Sequence, residues 1–327
     1  MKVIKYPAKE EWKELVKRPH LDVSQLNATV EGVLEDVRNH GDEAVKRYEE
    51  KFDHAHLDSL SVSEAEMDEA EHMVSAELKH ALELAHHNIA RFHESQKFEG
   101  SKVETCPGVE CWQKSVAIQK VGLYIPGGTA PLFSTVLMLA TPAKIAGCEE
   151  IVLCTPPNAE GKVNPAILMA AKIAGVSKIF KAGGVQAIGA MAYGTESVPK
   201  VYKIFGPGNQ FVMAAKQHVS LHDVAIDMPA GPSEVCVIAA ESSNPVFVAA
   251  GLLSQAEHGF DSQVFFITTS EEMISKVVKE VELQLERLPR KEMAHTSLDN
   301  SKFILVKDKQ EAIDLSNAYA PEHLIIA

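Results

Sequence analysis

Residues 116–157, VAIQKVGLYIPGGTAPLFSTVLMLATPAKIAGCEEIVLCTPP, decide the fold. The apolar run VAIQKVGLYI stops at Pro126-Gly127-Gly128 and reads as a strand ending in a turn. A helical stretch through VLMLATPAKIAG follows, closed by Gly147, a residue that tolerates the left-handed conformation at a helix end. EEIVLCTPP is then a second strand. A strand, a helix and a strand in this order make a crossover, which places the two strands parallel in one sheet.

The rhythm continues outward in both directions. Downstream, NPAILMAAKIAG reads as a helix, SKIFKAGG as a strand, VQAIGAMAYG as a helix, VYKIFGPGNQ as a strand running into a turn, and FVMAAKQHV as a helix. A second run starts near residue 234: EVCVIAA, a helix through FVAAGLLSQAEHG, SQVFFITTS, a long helix, KFILV, another helix, and HLIIA. Upstream, residues 1–100 read as helices. Val30, Val33, Leu34 and Val37 form one apolar stripe, and Gly41-Asp42 ends that helix and caps the next. Ser63 and Glu66 make an S-x-x-E capping box, followed by a helix with Leu78, Leu82, Ala85, Ile89 and Phe92 on one face. The expected fold is α/β, with two Rossmann-like parallel-sheet units and a helical N-terminal segment. The expected division is an arm at 1–20, a first domain of 21–122 plus 231–327, and a second at 123–230.

Composition narrows the function. The formal net charge of −13 lacks the basic face that a phosphate backbone needs, which excludes nucleic acid as a main partner. No apolar run approaches the roughly 20 residues of a membrane span, and the N-terminus lacks a secretory core. Cys106, Cys111, Cys148, Cys154 and Cys236 are scattered and odd in number, as expected of a reduced cytoplasmic protein. Cys154, the one tempting nucleophile, has no partner in sequence and reads as a small core residue.

Five constellations can carry chemistry, and each also has a plain structural reading. Tyr124–Gly128, YIPGG, stands at a strand's carboxyl end, where open α/β sheets bind ligands, but it also suits a simple turn. GPGN, Gly206–Asn209, begins like a dinucleotide fingerprint, yet Phe211 stands where the third glycine would be. DMPAGPSE makes a rigid loop that presents Ser233 just before a strand. Gln255 and His258 share a helical face that Gly259 closes; they are either metal donors or a helix end with a favourable histidine. Glu322 and His323 set a carboxylate beside an imidazole, a proton-transfer pair or merely a polar loop.

Taken in order, VGLYIPGGTAPLFSTVLMLATPAKIAG, GGVQAIGAMAYGTESVPKVYKIFGPGN, IDMPAGPSEV, LLSQAEHG and APEHLI closely resemble the histidinol dehydrogenase family. NHGDEAVKRY fits as well, so the resemblance covers essentially the whole chain. It implies a homodimeric enzyme that oxidises L-histidinol to L-histidine through L-histidinaldehyde, reducing two NAD in turn, as the last step of histidine biosynthesis. By the same resemblance, Glu322 and His323 are the acid–base pair, and Ser233 contacts substrate, as do Gln255, His258 and His323. Gln255 and His258 are zinc ligands, and Tyr124, Gln186 and Asn209 touch NAD on the 123–230 side. The family continues past a point equivalent to Ala327 with a segment bearing two more zinc ligands and a substrate-binding Glu. The expectation for these 327 residues alone is therefore a shortened, metal-poor chain of low activity. The alternatives are an inactive scaffold of the same fold and an oxidoreductase for another amino alcohol.

Overall fold

The computed structural model describes residues 1–18, 24–127, 131–176, 178–229 and 233–327. Two compact units result: Met1–Leu21 with Ala230–Ala327, and Asp22–Pro229. The chain opens with β1 (Lys2–Lys5) and a single turn, α1 (Trp12–Leu15). Then come α2 (Ser24–Phe52), α3 (Glu64–Met73), α4 (Ala76–Glu94) and an antiparallel hairpin of β2 (Lys102–Cys106) and β3 (Val109–Trp112). The alternating part of the larger unit is β4 (Lys120–Tyr124), α5 (Phe133–Ala146), β5 (Glu150–Thr155), α6 (Pro165–Ile173), β6 (Lys178–Lys181), α7 (Gly184–Tyr193), β7 (Lys203–Phe205), α8 (Gln210–Ser220) and β8 (Ala225–Ile226). The smaller unit resumes with β9 (Glu234–Ala239), α9 (Pro245–Ala256), β10 (Gln263–Thr268), α10 (Glu271–Leu285), α11 (Lys291–Asp299), β11 (Lys302–Leu305), α12 (Lys309–Tyr319) and β12 (His323–Ile326).

Both five-stranded sheets are parallel throughout. One runs β6-β5-β4-β7-β8 and the other β1-β11-β10-β9-β12; β11-β10-β9-β12 repeats the winding of β6-β5-β4-β7, with β4 and β9 inside and the winding reversing beside them, while the fifth strand is added at opposite ends, β8 beside β7 and β1 beside β11. The switch falls between β4 and β7 in the larger unit and between β9 and β12 in the smaller. This confirms the α/β class and the two Rossmann-like units. Strands buried on both faces need apolar residues at every position, which is why EIVLCT and QVFFIT read as continuous apolar runs. No helix among the described residues is long and apolar enough to cross a membrane.

Three expectations change. KVIK is not helical: it is β1, paired in parallel with β11. The hairpin β2–β3 was not foreseen either. The N-terminal helices, expected with 231–327, pack on the larger unit's own sheet. Val30, Val33, Leu34 and Val37 share a core with Tyr124, Val152, Cys154 and Ile188, while Ala70, Val74 and Leu82 share the opposite face with Leu123, Ile151 and Leu153. Apolar periodicity tells that a helix is covered but not which sheet covers it. Gly41 breaks α2 with φ 51° and ψ −132°, as expected. Asp42, however, spends its carboxylate on Thr195 and Ser197 across the chain. The Ser63–Glu66 box forms in full, and Ser75 caps α4 separately. Phe92 leaves the apolar stripe of α4 for solvent.

One buried acid ties α2 to the start of α7. Glu49 is fully buried, and its Oε1 accepts from the Gly183 amide at 2.8 Å and from Gln186 Nε2 at 2.8 Å. Gly183 precedes α7 and has no side chain to cap it, so Glu49 Oε1 accepts the amide left unpaired at that helix start. Oε2 is buried without a hydrogen-bond partner. Burial pushes the Glu49 carboxyl up to about 8, against 4.5 for an ordinary glutamate, and the neighbouring Asp53 carboxyl adds to the shift. Between those two values the folded chain keeps a proton that the unfolded chain has released, so stability falls as pH rises through that window. Glu49→Gln keeps both accepted bonds and cannot ionise. Its urea midpoint is therefore expected to decline less between pH 5 and pH 8 than the parent's; identical slopes would refute this role for Glu49.

Candidate active site

The larger unit collects three of the singled-out residues at the carboxyl edge of its sheet. Tyr124 ends β4 with its ring in the core, and its hydroxyl accepts from the Gly184 amide at 3.1 Å. Burial holds its phenol well above the usual range. Gln186, in the first turn of α7, is buried with its amide on Glu49. Asn209 caps α8, its Oδ1 accepting from Phe211 and Val212 at 3.1 Å each. It is exposed, and its amide nitrogen has no protein partner among the described residues.

The GPGN turn that carries Asn209 is fixed from three sides. Gly206 has φ +133°, and a Cβ there would lie 2.1 Å from the Tyr124 carbonyl oxygen, so this position needs glycine. Lys216, buried in α8, donates to the Gly206 carbonyl at 2.7 Å and pairs with Asp227. The other Asp227 oxygen accepts the Gly206 amide at 2.8 Å. Nothing in the spacing of Lys216 or Asp227 marks them in sequence as a clamp. A cleft of about 530 Å³ opens beside the ends of β4 and β5, lined by Gly127, Pro156, Pro157, Asn158, Asp53 and Glu66 among others. Gly128 of the YIPGG stretch lies outside the described residues.

The smaller unit gathers the other five residues at the amino ends of its strands. Ser233 immediately precedes β9, and its carbonyl accepts from the Gln263 amide at the start of β10 at 3.2 Å. His323 begins β12 in register with Val235. Glu322 Oε2 accepts from the Glu234 amide at 3.4 Å, and its Oε1 stands 3.9 Å from His323 Nε2. Both side chains are about half exposed, at 50% and 54%. Gln255 is in the last turn of α9, which leads back toward β10. The helix ends at Ala256 rather than at Gly259, so His258 lies beyond it, in a tight turn whose amide bonds the Gln255 carbonyl at 3.1 Å. Ala230, Gly231 and Pro232 of the DMPAGPSE loop lie outside the described residues.

Each cofactor can be set against these geometries. A nucleotide finds an open cleft and, at Asn209, an amide nitrogen without a protein partner among the described residues. Glu49 and Tyr124 take the first amides of α7 and Asn209 caps α8, while α5, which follows β4, has no side-chain cap at Leu132. For zinc, Gln255 offers an amide oxygen and His258 an imidazole. Among the described residues no group of three His, Cys, Asp or Glu could hold a metal, and two donors fall short of the three or more of a catalytic zinc. Cys154 is buried in β5 with its thiol pushed up by burial, the opposite of an activated nucleophile.

Comparisons with known proteins show the family. The family model for histidinol dehydrogenase matches residues 16–327. Histidinol dehydrogenase of Bacteroides thetaiotaomicron is 67% identical over 326 residues, which are 100% of this chain and 76% of the relative. The Escherichia coli K12 enzyme of the same name is 52% identical over 320 residues, 97% of this chain and 73% of the relative. The crystal structure of histidinol dehydrogenase from Elizabethkingia anophelis superposes with a TM-score of 0.97 at 51% identity, covering 100% of this chain and 76% of that one. A chain matched along almost its whole length by that family's model, by its named relatives and by a solved member belongs to the histidinol dehydrogenase family.

Proposed function

We propose that the chain oxidises L-histidinol to L-histidine in two NAD-linked steps, with L-histidinaldehyde between them, and that it works in the cytoplasm as a homodimer at the end of histidine biosynthesis. The observation that supports this chemistry is the Glu322–His323 pair, solvent-facing at the amino end of β12 with Ser233 beside it at the start of β9. NAD, when bound, accepts the hydride. In the first step His323 takes the hydroxyl proton as hydride leaves the carbinol carbon, the general-base task imidazole most often performs. In the second, Glu322 takes a proton from water as its oxygen attacks the aldehyde carbon, and His323 returns its proton to the former carbonyl oxygen, giving the neutral hydrate. The hydrate then loses hydride and gives one of its two hydroxyl protons to the base, leaving the carboxylic acid. Ser233 is positioned to orient a substrate hydroxyl or amine. Gln255 and His258 are two of the donors a family zinc would take.

Only the aldehyde step consumes water, so Glu322→Gln separates the two oxidations. Histidinaldehyde turnover is expected to fall by about a hundredfold or more, the range of positioned acid–base catalysis, with a smaller loss on histidinol oxidation. An unchanged rate with histidinaldehyde would remove Glu322 from the mechanism.

NAD is proposed to lie over the carboxyl ends of β4, β5 and β7. Asn209 would make the direct contact, while Tyr124 and Gln186, whose polar atoms are spent internally, would shape the wall. Asn209→Ala is expected to raise the KM for NAD several-fold with little change in kcat. Tyr124→Phe is expected to leave that KM within about twofold, since the lost hydroxyl serves one internal bond of about 1 kcal/mol. A large KM rise in Tyr124→Phe alone would reverse this assignment.

A further inference from the structure

Arg18, in the N-terminal arm, lies far in sequence from every residue discussed as catalytic. Its guanidinium is nevertheless joined to the start of β9 and to the end of α12, just before the acid–base pair. Nε donates to Glu234 Oε1 at 2.5 Å and one terminal nitrogen to Glu234 Oε2 at 2.9 Å. The same nitrogen reaches the carbonyls of Tyr319 at 2.8 Å and Ala320 at 3.0 Å. The guanidinium also lies 4.9 Å from the centre of the Tyr319 ring, which stacks on Phe265 at 3.9 Å. Glu234 is the first residue of β9, follows Ser233 directly, and donates its amide to Glu322. Tyr319 and Ala320 end α12, two residues before Glu322. Ala320 holds the left-handed conformation, φ 49° and ψ 65°, uncommon for a residue with a Cβ, so the turn needs an external hold.

We propose that Arg18 is a positioning residue for the reaction: it fixes the start of β9 and the end of α12 relative to each other, and thereby sets the Glu322 carboxylate against the Glu234 amide. The chemistry of the side chain suits this. A planar fork of donors can hold a carboxylate with two parallel bonds and still serve carbonyls at one side; an ammonium group cannot. Glu234 is almost fully buried and needs a partner of this kind, while Arg18 remains 40% exposed. Without the fork, the loop bearing Glu322 and His323 keeps only strand pairing on one side of β12.

This inference rests on Glu322 being the base of the aldehyde step. The test combines Arg18→Met, Arg18→Lys, Glu322→Gln and the double variant Arg18→Met/Glu322→Gln, each assayed with histidinaldehyde. Arg18→Met is expected to lower kcat at least tenfold with KM for NAD within twofold, and to lower it less than twofold further when Glu322 is already Gln. Arg18→Lys, which keeps charge and stem but loses the fork, is expected to recover less than half of the loss. It also provides the reading if the methionine variant does not fold. Faster backbone hydrogen exchange in residues 317–323 accompanies the loss. Wild-type kcat in a folded Arg18 variant, or an equal loss in both backgrounds, overturns the positioning role alone. A wild-type rate in Glu322→Gln overturns the assignment of the base and this inference with it.

Discussion

Parallel pairing of β9 with β10 on one side and β12 on the other is the constraint on which the candidate site depends. Residues 233, 263 and 322 are scattered along the chain, yet parallel strands must enter a sheet at the same edge, so their approaches converge. The amides at that edge are not idle: the Gln263 amide bonds the Ser233 carbonyl and the Glu234 amide bonds Glu322. Crossover helices α9 and α12 return the chain to that edge each time and bring Gln255, His258 and the Glu322–His323 pair with it. Position of the reactive groups therefore follows from sheet topology before any side chain is chosen.

The two units share the winding of four strands but use it differently. In the larger unit the singled-out residues stand at the carboxyl edge, near the switch between β4 and β7, where open α/β sheets generally take ligands. In the smaller unit they stand at the amino edge, away from that rule. The contrast has a chemical side. Helix starts at a carboxyl edge attract phosphates; here Glu49, Tyr124 and Asn209 already occupy those of α7 and α8, so a nucleotide would rely on the cleft, a rigid turn and the uncapped start of α5. The amino edge of the other sheet instead offers an exposed carboxylate, imidazoles, a hydroxyl and an amide, groups suited to proton transfer and to holding a polar substrate.

Much of this was legible in the sequence. Alternating apolar strands and Gly-ended helices gave both sheets, and the Ser63–Glu66 box and the break at Gly41 appeared as written. Other features were hidden for physical reasons. KVIK carries two lysines in four residues and joins the sheet only by pairing with β11, which local pattern does not record. The partner sheet of α2–α4 was misjudged because an apolar stripe has no address. Glu49, Lys216 and Arg18 each look like surface charges on a chain rich in them. Only folding shows that the first is sealed under α7, the second clamps Gly206 and the third grips Glu234. Tyr124 and Gln186 stand at the expected edge, yet their polar atoms turn inward, which no spacing could foretell.

The central claim is that substrate is handled at the amino edge of β9, β10 and β12. Histidinol bound to the protein with NAD present, located by crystallography, tests it most directly. The expected result is density within hydrogen-bonding distance of Ser233 and His323, close to Gln255 or His258. Histidinol seated instead at the carboxyl ends of these strands, beyond Ala239 and Thr268, would contradict it.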